Sequence, residues 1–117
     1  MHGTVVVGLK QALSLGYPTI NLSYEGTLSV PSGVYSASVT TDDGVFVGAA
    51  VVGGDFIESS SPKLEIHLLG DTKTSRYGER VEIKIGERVS DVQRISDMNL
   101  LRKKIETDIE QVRMINA

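Results

Sequence analysis

Up to Ser90 the chain runs in short β-rich stretches, apolar and β-branched residues alternating with polar ones, separated by breaks of Gly, Ser, Asp and Pro. That period of two, repeated in short pieces, is the pattern of an all-β barrel or sandwich. It predicts strands over Thr4–Val7, Gly33–Thr40, Val45–Val52, Leu64–Leu69 and Val81–Ile85, with a shorter one over Thr19–Leu22. Between the second and third long runs stands Thr41-Asp42-Asp43-Gly44. An Asp-Gly between β-branched runs favours a tight hairpin with positive φ at both central positions, so those strands should pair antiparallel. After about Asp91 the period changes: Met98, Leu101, Ile105, Ile109 and Val112 recur three or four residues apart, which predicts a helix over about 97–114 with Ser96 as its N-cap. The charged residues from Arg102 to Glu110 are expected on the opposite, solvated face, without a chemical role.

Composition narrows the class of protein. With 117 residues, 40% hydrophobic and 23% charged, residues 1–117 suit one domain with one core. The absence of cysteine removes disulfides and thiolate chemistry. A net charge of −3 from 12 basic and 15 acidic residues, with two Phe and four Tyr, gives neither the electrostatic footprint nor the stacking platform of a nucleic-acid binder. No apolar stretch reaches membrane-span length, and Met1-His2-Gly3 lacks the basic-then-apolar order of a signal peptide. The expectation is a cytoplasmic monomer that binds small molecules and neither nucleic acid nor membrane.

Candidate chemistry concentrates in two places. In Leu15-Gly16-Tyr17-Pro18-Thr19-Ile20-Asn21-Leu22, a glycine and a fixed-φ proline lead into two polar side chains two residues apart, which extended backbone puts on one side. A hydroxyl and an amide oxygen together are hard neutral donors suited to Mg²⁺ and phosphate; Thr and Asn beside proline are also ordinary turn formers. In the other place, Lys63, Glu65 and His67 alternate with Leu64, Ile66 and Leu68. This is either the wet face of a strand or a strand presenting a carboxylate for proton transfer. No metal-ligand spacing connects His67 with His2, so His67 reads as a strand-face residue. Tyr35, Phe56 and Tyr77 read as packing residues.

Taken in order, these motifs resemble the riboflavin kinase family over nearly the whole chain. Gly3-Thr4-Val5-Val6-Val7-Gly8 followed by Gly16-Tyr17-Pro18-Thr19-Ile20-Asn21 is similar to the family's glycine-containing loop and Gly-aromatic-Pro-Thr-Ala-Asn motif. Pro31-Ser32-Gly33-Val34-Tyr35 resembles its Pro-x-Gly-Val-Tyr, Glu65-Ile66-His67 its Glu-x-His strand, and Tyr77-Gly78 its Tyr-Gly turn. Arg88 stands where an arginine follows the last strand, and Leu101, Ile105 and Asp108 keep the spacing of the closing helix.

The resemblance implies a six-stranded antiparallel Greek-key β-barrel with a C-terminal α-helix, and transfer of the γ-phosphate of Mg-ATP to the 5′-hydroxyl of riboflavin to give FMN. It implies that Gly8, Lys10, Gly16, Pro18, Thr19 and Asn21 hold the ATP phosphates and that Thr19 and Asn21 bind Mg²⁺. Glu65 would accept the hydroxyl proton, and Arg88 would stand on the flavin side or, as the bland alternative, in solvent. Three segments depart from the pattern. Ala12-Leu13 replaces a Gly-Arg pair that would supply free backbone approach and a charge to phosphate, Gly53-Gly54-Asp55-Phe56 matches only in part, and the segment after Arg88 lacks the family's Pro-Glu. A second class of reading is therefore a flavin- or nucleotide-binding module with weakened transfer. No Gly-rich strand-to-helix fingerprint is present, so adenylylation of FMN by this stretch is not expected.

Overall fold

In a strand successive side chains point to opposite faces, so a sheet closed on itself separates each strand's residues into an inner and an outer set. The computed structural model, which describes residues 1–6, 19–26, 28, 30–53, 63–70, 76–93 and 95–116, has this arrangement. Its strands are β1 (His2–Val6), β2 (Thr19–Tyr24), β3 (Gly33–Thr41), β4 (Gly44–Val52), β5 (Leu64–Leu68) and β6 (Arg80–Ser90), followed by helix α1 (Met98–Ile115). The strands close into an antiparallel barrel in the order β1-β2-β5-β4-β3-β6. Within it β3, β4 and β5 are successive neighbours and β6 returns beside β3, the Greek-key arrangement the resemblance implies.

The inner set is apolar. Val5, Ile20, Leu22, Val39, Ala50, Val52, Ile66, Leu68, Val81 and Ile83 fill the barrel, and Tyr35 joins them with its hydroxyl donating to the Pro31 carbonyl at 2.7 Å. A fully buried isoleucine such as Ile66 stabilises the fold by about 2–3 kcal/mol relative to an exposed one. A second core lies outside the barrel, where Ile105, Ile109 and Val112 of α1 cover Val34 and Ala49.

Most strands lie within two residues of their expected bounds, and Val7, expected to end the first, lies outside the described residues. The last strand differs. It runs on through Gly86 to Ser90, with its register against β3 shifting twice, between Val34 and Tyr35 and between Tyr35 and Ala37. A strand-interior glycine is the usual accommodation for such a bulge, and here it extends the ladder rather than ending it. Arg88 therefore lies within β6, not beyond it.

Two local expectations are also corrected. The hairpin loop is Asp42-Asp43, and positive φ is confined to Gly44 at +125°. The Thr41 hydroxyl accepts from the Asp43 N–H at 3.0 Å and donates to the Gly44 carbonyl at 3.0 Å, holding the turn without a left-handed aspartate. The cap of α1 is Asp97, whose carboxylate accepts from the N–H groups of Asn99 and Leu100. A carboxylate satisfies those donors and complements the positive helix end, an advantage that the Ser96 hydroxyl lacks.

At the turn end of the barrel, buried Arg76 donates to Glu79 and Asp43 at 3.0 Å each, and its guanidinium lies 5.3 Å from the centroid of the Phe46 ring. This joins the β3–β4 turn to the segment entering β6.

Candidate active site

Ile20 and Leu22 point into the barrel, so Thr19 and Asn21 must point out. The same alternation in β5 sends Leu64, Ile66 and Leu68 inward and Glu65 and His67 outward. Antiparallel pairing of the two strands sets Thr19 opposite His67 and Asn21 opposite Glu65. Thr19 Oγ1 lies 3.0 Å from His67 Nδ1, and His67 Nε2 lies 3.5 Å from Glu65 Oε1.

The register continues this pattern across the sheet. Glu65 pairs with Val51, Val51 with Val34, and Val34 with Ser90. One row on the outer surface thus reads amide, carboxylate, two valines and a hydroxyl across five strands. Ser90 Oγ donates to Asp108 Oδ1 at 2.6 Å, while Lys104 Nζ donates to Asp108 Oδ2 at 2.5 Å and to Ser90 Oγ at 2.8 Å.

Helix α1 stands over this row and leaves a cavity of about 150 Å³. That is roughly ten times the space that one ordered water needs, room for a ring system. Its floor includes Val34, Val51, Glu65 and His67, its roof Leu101 and Ile105, and Val92, Gln93, Lys104 and Asp108 complete the wall. An apolar cavity with a few convergent polar groups is the usual form of a small-molecule site.

Burial sets the electrostatics. It pushes the Glu65 carboxyl above its ordinary value, an effect that nearby Lys63 partly offsets. It pushes the His67 imidazole down to about 4, with Asp108 acting the other way and Lys104 adding to the fall. His67 is therefore neutral at neutral pH, and its approach to Glu65 is a dipolar contact rather than a charged pair. A carboxylate of raised basicity at the lip of a cavity can take a proton from a bound hydroxyl.

The structure brings together Thr19, Asn21 and Glu65, three of the residues singled out in the sequence. It sets Arg88 apart: paired with Tyr35 on the inward-facing side, the guanidinium lies 5.9 Å from the centroid of that ring, donates to the Ser32 carbonyl at 2.8 Å and pairs with Asp91. Gly8, Lys10, Gly16 and Pro18 lie outside the described residues, as do Ala12, Leu13 and Phe56. Of the expected packing aromatics within the described residues, Tyr35 is buried and Tyr77 is exposed.

One of the two readings of β5 falls away, and the expectation of a solvated helix face is corrected in part. The outer face of β5 is not wet: His67 is 4% exposed and Glu65 is half-buried. Nor are all the helix charges solvated, since Asp108 is 5% exposed. The signal was present, because Asp108 stands three residues after Ile105 and four before Val112, inside the apolar stripe, and Lys104 lies four residues before it.

Comparison with known proteins bears on the fold and the family. The bifunctional riboflavin kinase/FMN adenylyltransferase of Buchnera aphidicola subsp. Schizaphis graminum is 31% identical over 117 residues, covering 97% of this chain and 37% of that protein. The protein of the same description from Pseudomonas fluorescens is 30% identical over 117 residues, covering 98% of this chain and 37% of its own length. The chain thus spans little more than a third of the relatives it matches. A crystal structure described as a macrolide-efflux protein from Streptococcus pneumoniae superposes with a TM-score of 0.85 at 25% identity, over 96% of this chain and 37% of that one. That likeness supports the barrel; among the described residues no helix is long and apolar enough to cross a membrane. The model of the flavokinase family, described as riboflavin kinase, matches residues 1–116, and the chain belongs to the riboflavin kinase family.

Proposed function

We propose that this domain transfers the γ-phosphate of Mg-ATP to the 5′-hydroxyl of riboflavin, giving FMN. The observation that carries the reading is the pairing of Asn21 with Glu65 at one end of a row whose next two members, Val51 and Val34, floor the cavity. A flat aliphatic floor suits an aromatic ring system, and the polar wall of Gln93, Lys104 and Asp108 suits its hydrogen-bonding edge. Glu65, at the near end, accepts the proton of the attacking hydroxyl. Asn21 and Thr19, one strand further, face the phosphates.

Phosphoryl transfer needs in-line positioning and neutralisation of spreading charge, with one group to orient and deprotonate the nucleophile. The donor set fits magnesium. Among the described residues no three His, Cys, Asp or Glu side chains gather into a metal cage. The Thr19 hydroxyl and Asn21 carbonyl are hard neutral oxygens of the kind that serve a cation keeping phosphate and water oxygens as its other ligands. Magnesium would supply charge neutralisation on the transferring phosphate. Gly8, Lys10, Gly16 and Pro18 would line the phosphates from the segment before β2.

Incubation with riboflavin and Mg-ATP, followed by chromatographic separation of FMN, tests the reading. FMN formation that falls by roughly 10² to 10⁴ in Glu65→Gln is expected, the usual worth of a general base. Riboflavin binding without any FMN would replace it with the binding-module reading.

A further inference from the structure

His67 stands between the two halves of this site, touching a residue of each. We propose that it is a positioning residue, which joins them through a one-way hydrogen-bond chain: Thr19 Oγ1–H donates to Nδ1, and Nε2–H is aimed at Glu65 Oε1. The inference rests on the reading of Glu65 as the base and of Thr19 as a cation-facing hydroxyl.

The direction of the chain follows from the chemistry of its ends. A base that accepts the substrate proton must be ionised, and an ionised carboxylate has no hydrogen to give. An attractive contact between Nε2 and Oε1 therefore requires the hydrogen on Nε2. The ring is 4% exposed, and burial favours the neutral imidazole, which carries one hydrogen, so Nδ1 is bare and can only accept. At 3.0 Å from Nδ1, the Thr19 hydroxyl must then be the donor. A hydroxyl that donates its hydrogen to the ring keeps the oxygen lone pairs that a hard cation requires.

At the other end, the 3.5 Å separation of Nε2 from Oε1 is longer than a hydrogen bond. Catalytic hydrogen bonds commonly tighten when the site is loaded, and closing this one holds Oε1 and leaves Oε2 for the substrate hydroxyl. The ring has little room to reorient. It is 4% exposed, and the backbone beneath it is approached so closely that a Cβ at Gly48 would overlap the His67 carbonyl oxygen.

The arrangement is tested by long-range ¹H–¹⁵N spectra of the full chain labelled in histidine, recorded near pH 7.5 without ligand. His67 should show a protonated Nε2 and an unprotonated, hydrogen-bonded Nδ1; exposed His2 supplies the contrast. Thr19→Val, which removes the hydroxyl at nearly constant volume, should move the Nδ1 signal to that of a nitrogen without a partner. A hydrogen on Nδ1 of His67, or an unmoved signal in Thr19→Val, overturns the chain.

Kinetics give the second arm. His67→Phe should lower kcat by about 10- to 100-fold, the scale of losing a group that orients a functional residue, a larger change than in the KM for riboflavin, whose cavity the ring also lines. His67→Gln, whose amide reaches the Nε2 position, should recover part of that loss. A wild-type kcat in the phenylalanine variant overturns the proposal. If the unmodified protein forms no FMN, the reading of the function fails, while the tautomer spectra still decide whether the chain exists.

Discussion

Asn21 and Glu65 occupy facing positions on β2 and β5, and both point out of the barrel, Glu65 at the cavity that α1 covers. Asn21 is half-buried on the outer face, beside Glu65. Asn21→Ala should therefore weaken Mg-ATP binding far more than riboflavin binding, which titration calorimetry separates. Transfer should fall by roughly 10²-fold, as when an electrostatic stabiliser is lost. Equal nucleotide affinity in the variant would remove Asn21 from the phosphate side.

Gly48 lies on β4 opposite Leu68, next to the backbone of His67. A methyl group there has no flexible neighbour to push aside, because what it meets is a carbonyl oxygen. Gly48→Ala should cost roughly 1–3 kcal/mol in urea unfolding, the scale of overpacking a well-filled interior. It should also lower kcat, since the strand that moves is the one carrying Glu65.

Burial of neutral His67 gives stability a definite pH dependence. The unfolded chain takes up the imidazole proton near the ordinary 6.5, whereas the folded chain resists it until about 4. The contribution of His67 is therefore constant above the unfolded value and declines as pH falls from about 6.5 to about 4, by at most roughly 3 kcal/mol. Glu65 works in the opposite sense, since its raised value means that the folded state gains as the carboxyl takes its proton. Comparing wild type with His67→Phe keeps Glu65 in both, and wild type should lose more stability across this interval.

Arg76 and Glu79 form a pair with side chains 2% and 8% exposed, whereas Asp43, also paired with Arg76, is 54% exposed. Arg76→Ala leaves Glu79 as a buried charge with its main partner gone and should destabilise by about 3 kcal/mol or more in chemical denaturation. Arg76→Met combined with Glu79→Leu removes both charges and should recover most of the loss. If the single and double variants are equally unstable, the pair matters through packing alone.

How much of this was legible in the sequence differs from residue to residue. Thr19, Asn21 and Glu65 were legible because strand alternation dictates their face and the family motif names their types. The length of β6 was not, because Gly86 reads as a break, and whether a glycine ends a strand or bulges it depends on the partner strand. The burial of His67 was not legible for a related reason. Alternation places it opposite the inward-facing residues of β5, and outward normally means wet. Here the outside of the barrel is itself an interior, covered by a helix that starts thirty-one residues later, at Met98. The same cover makes Asp108 and Lys104 part of the cavity wall, although their spacing within the stripe could have shown it.

The row from Asn21 to Ser90 has no local version. Its members sit on five different strands, and Thr19 and His67, which touch, are 48 residues apart along the chain. Any segment short enough to order on its own contains at most fragments of the binding surface, so the surface arises only when the barrel closes. Pairings so remote in sequence make closure comparatively slow. Ligand affinity and global folding are consequently one linked equilibrium. A bound substrate holds the closed state by mass action, and at a hundred times its Kd it adds about 2.7 kcal/mol against unfolding. A destabilising substitution anywhere around the ring, even on the strand pair furthest from the cavity, therefore subtracts from occupancy once the unfolded fraction becomes appreciable. A ligand that fills the cavity would then raise the share of the chain that persists folded.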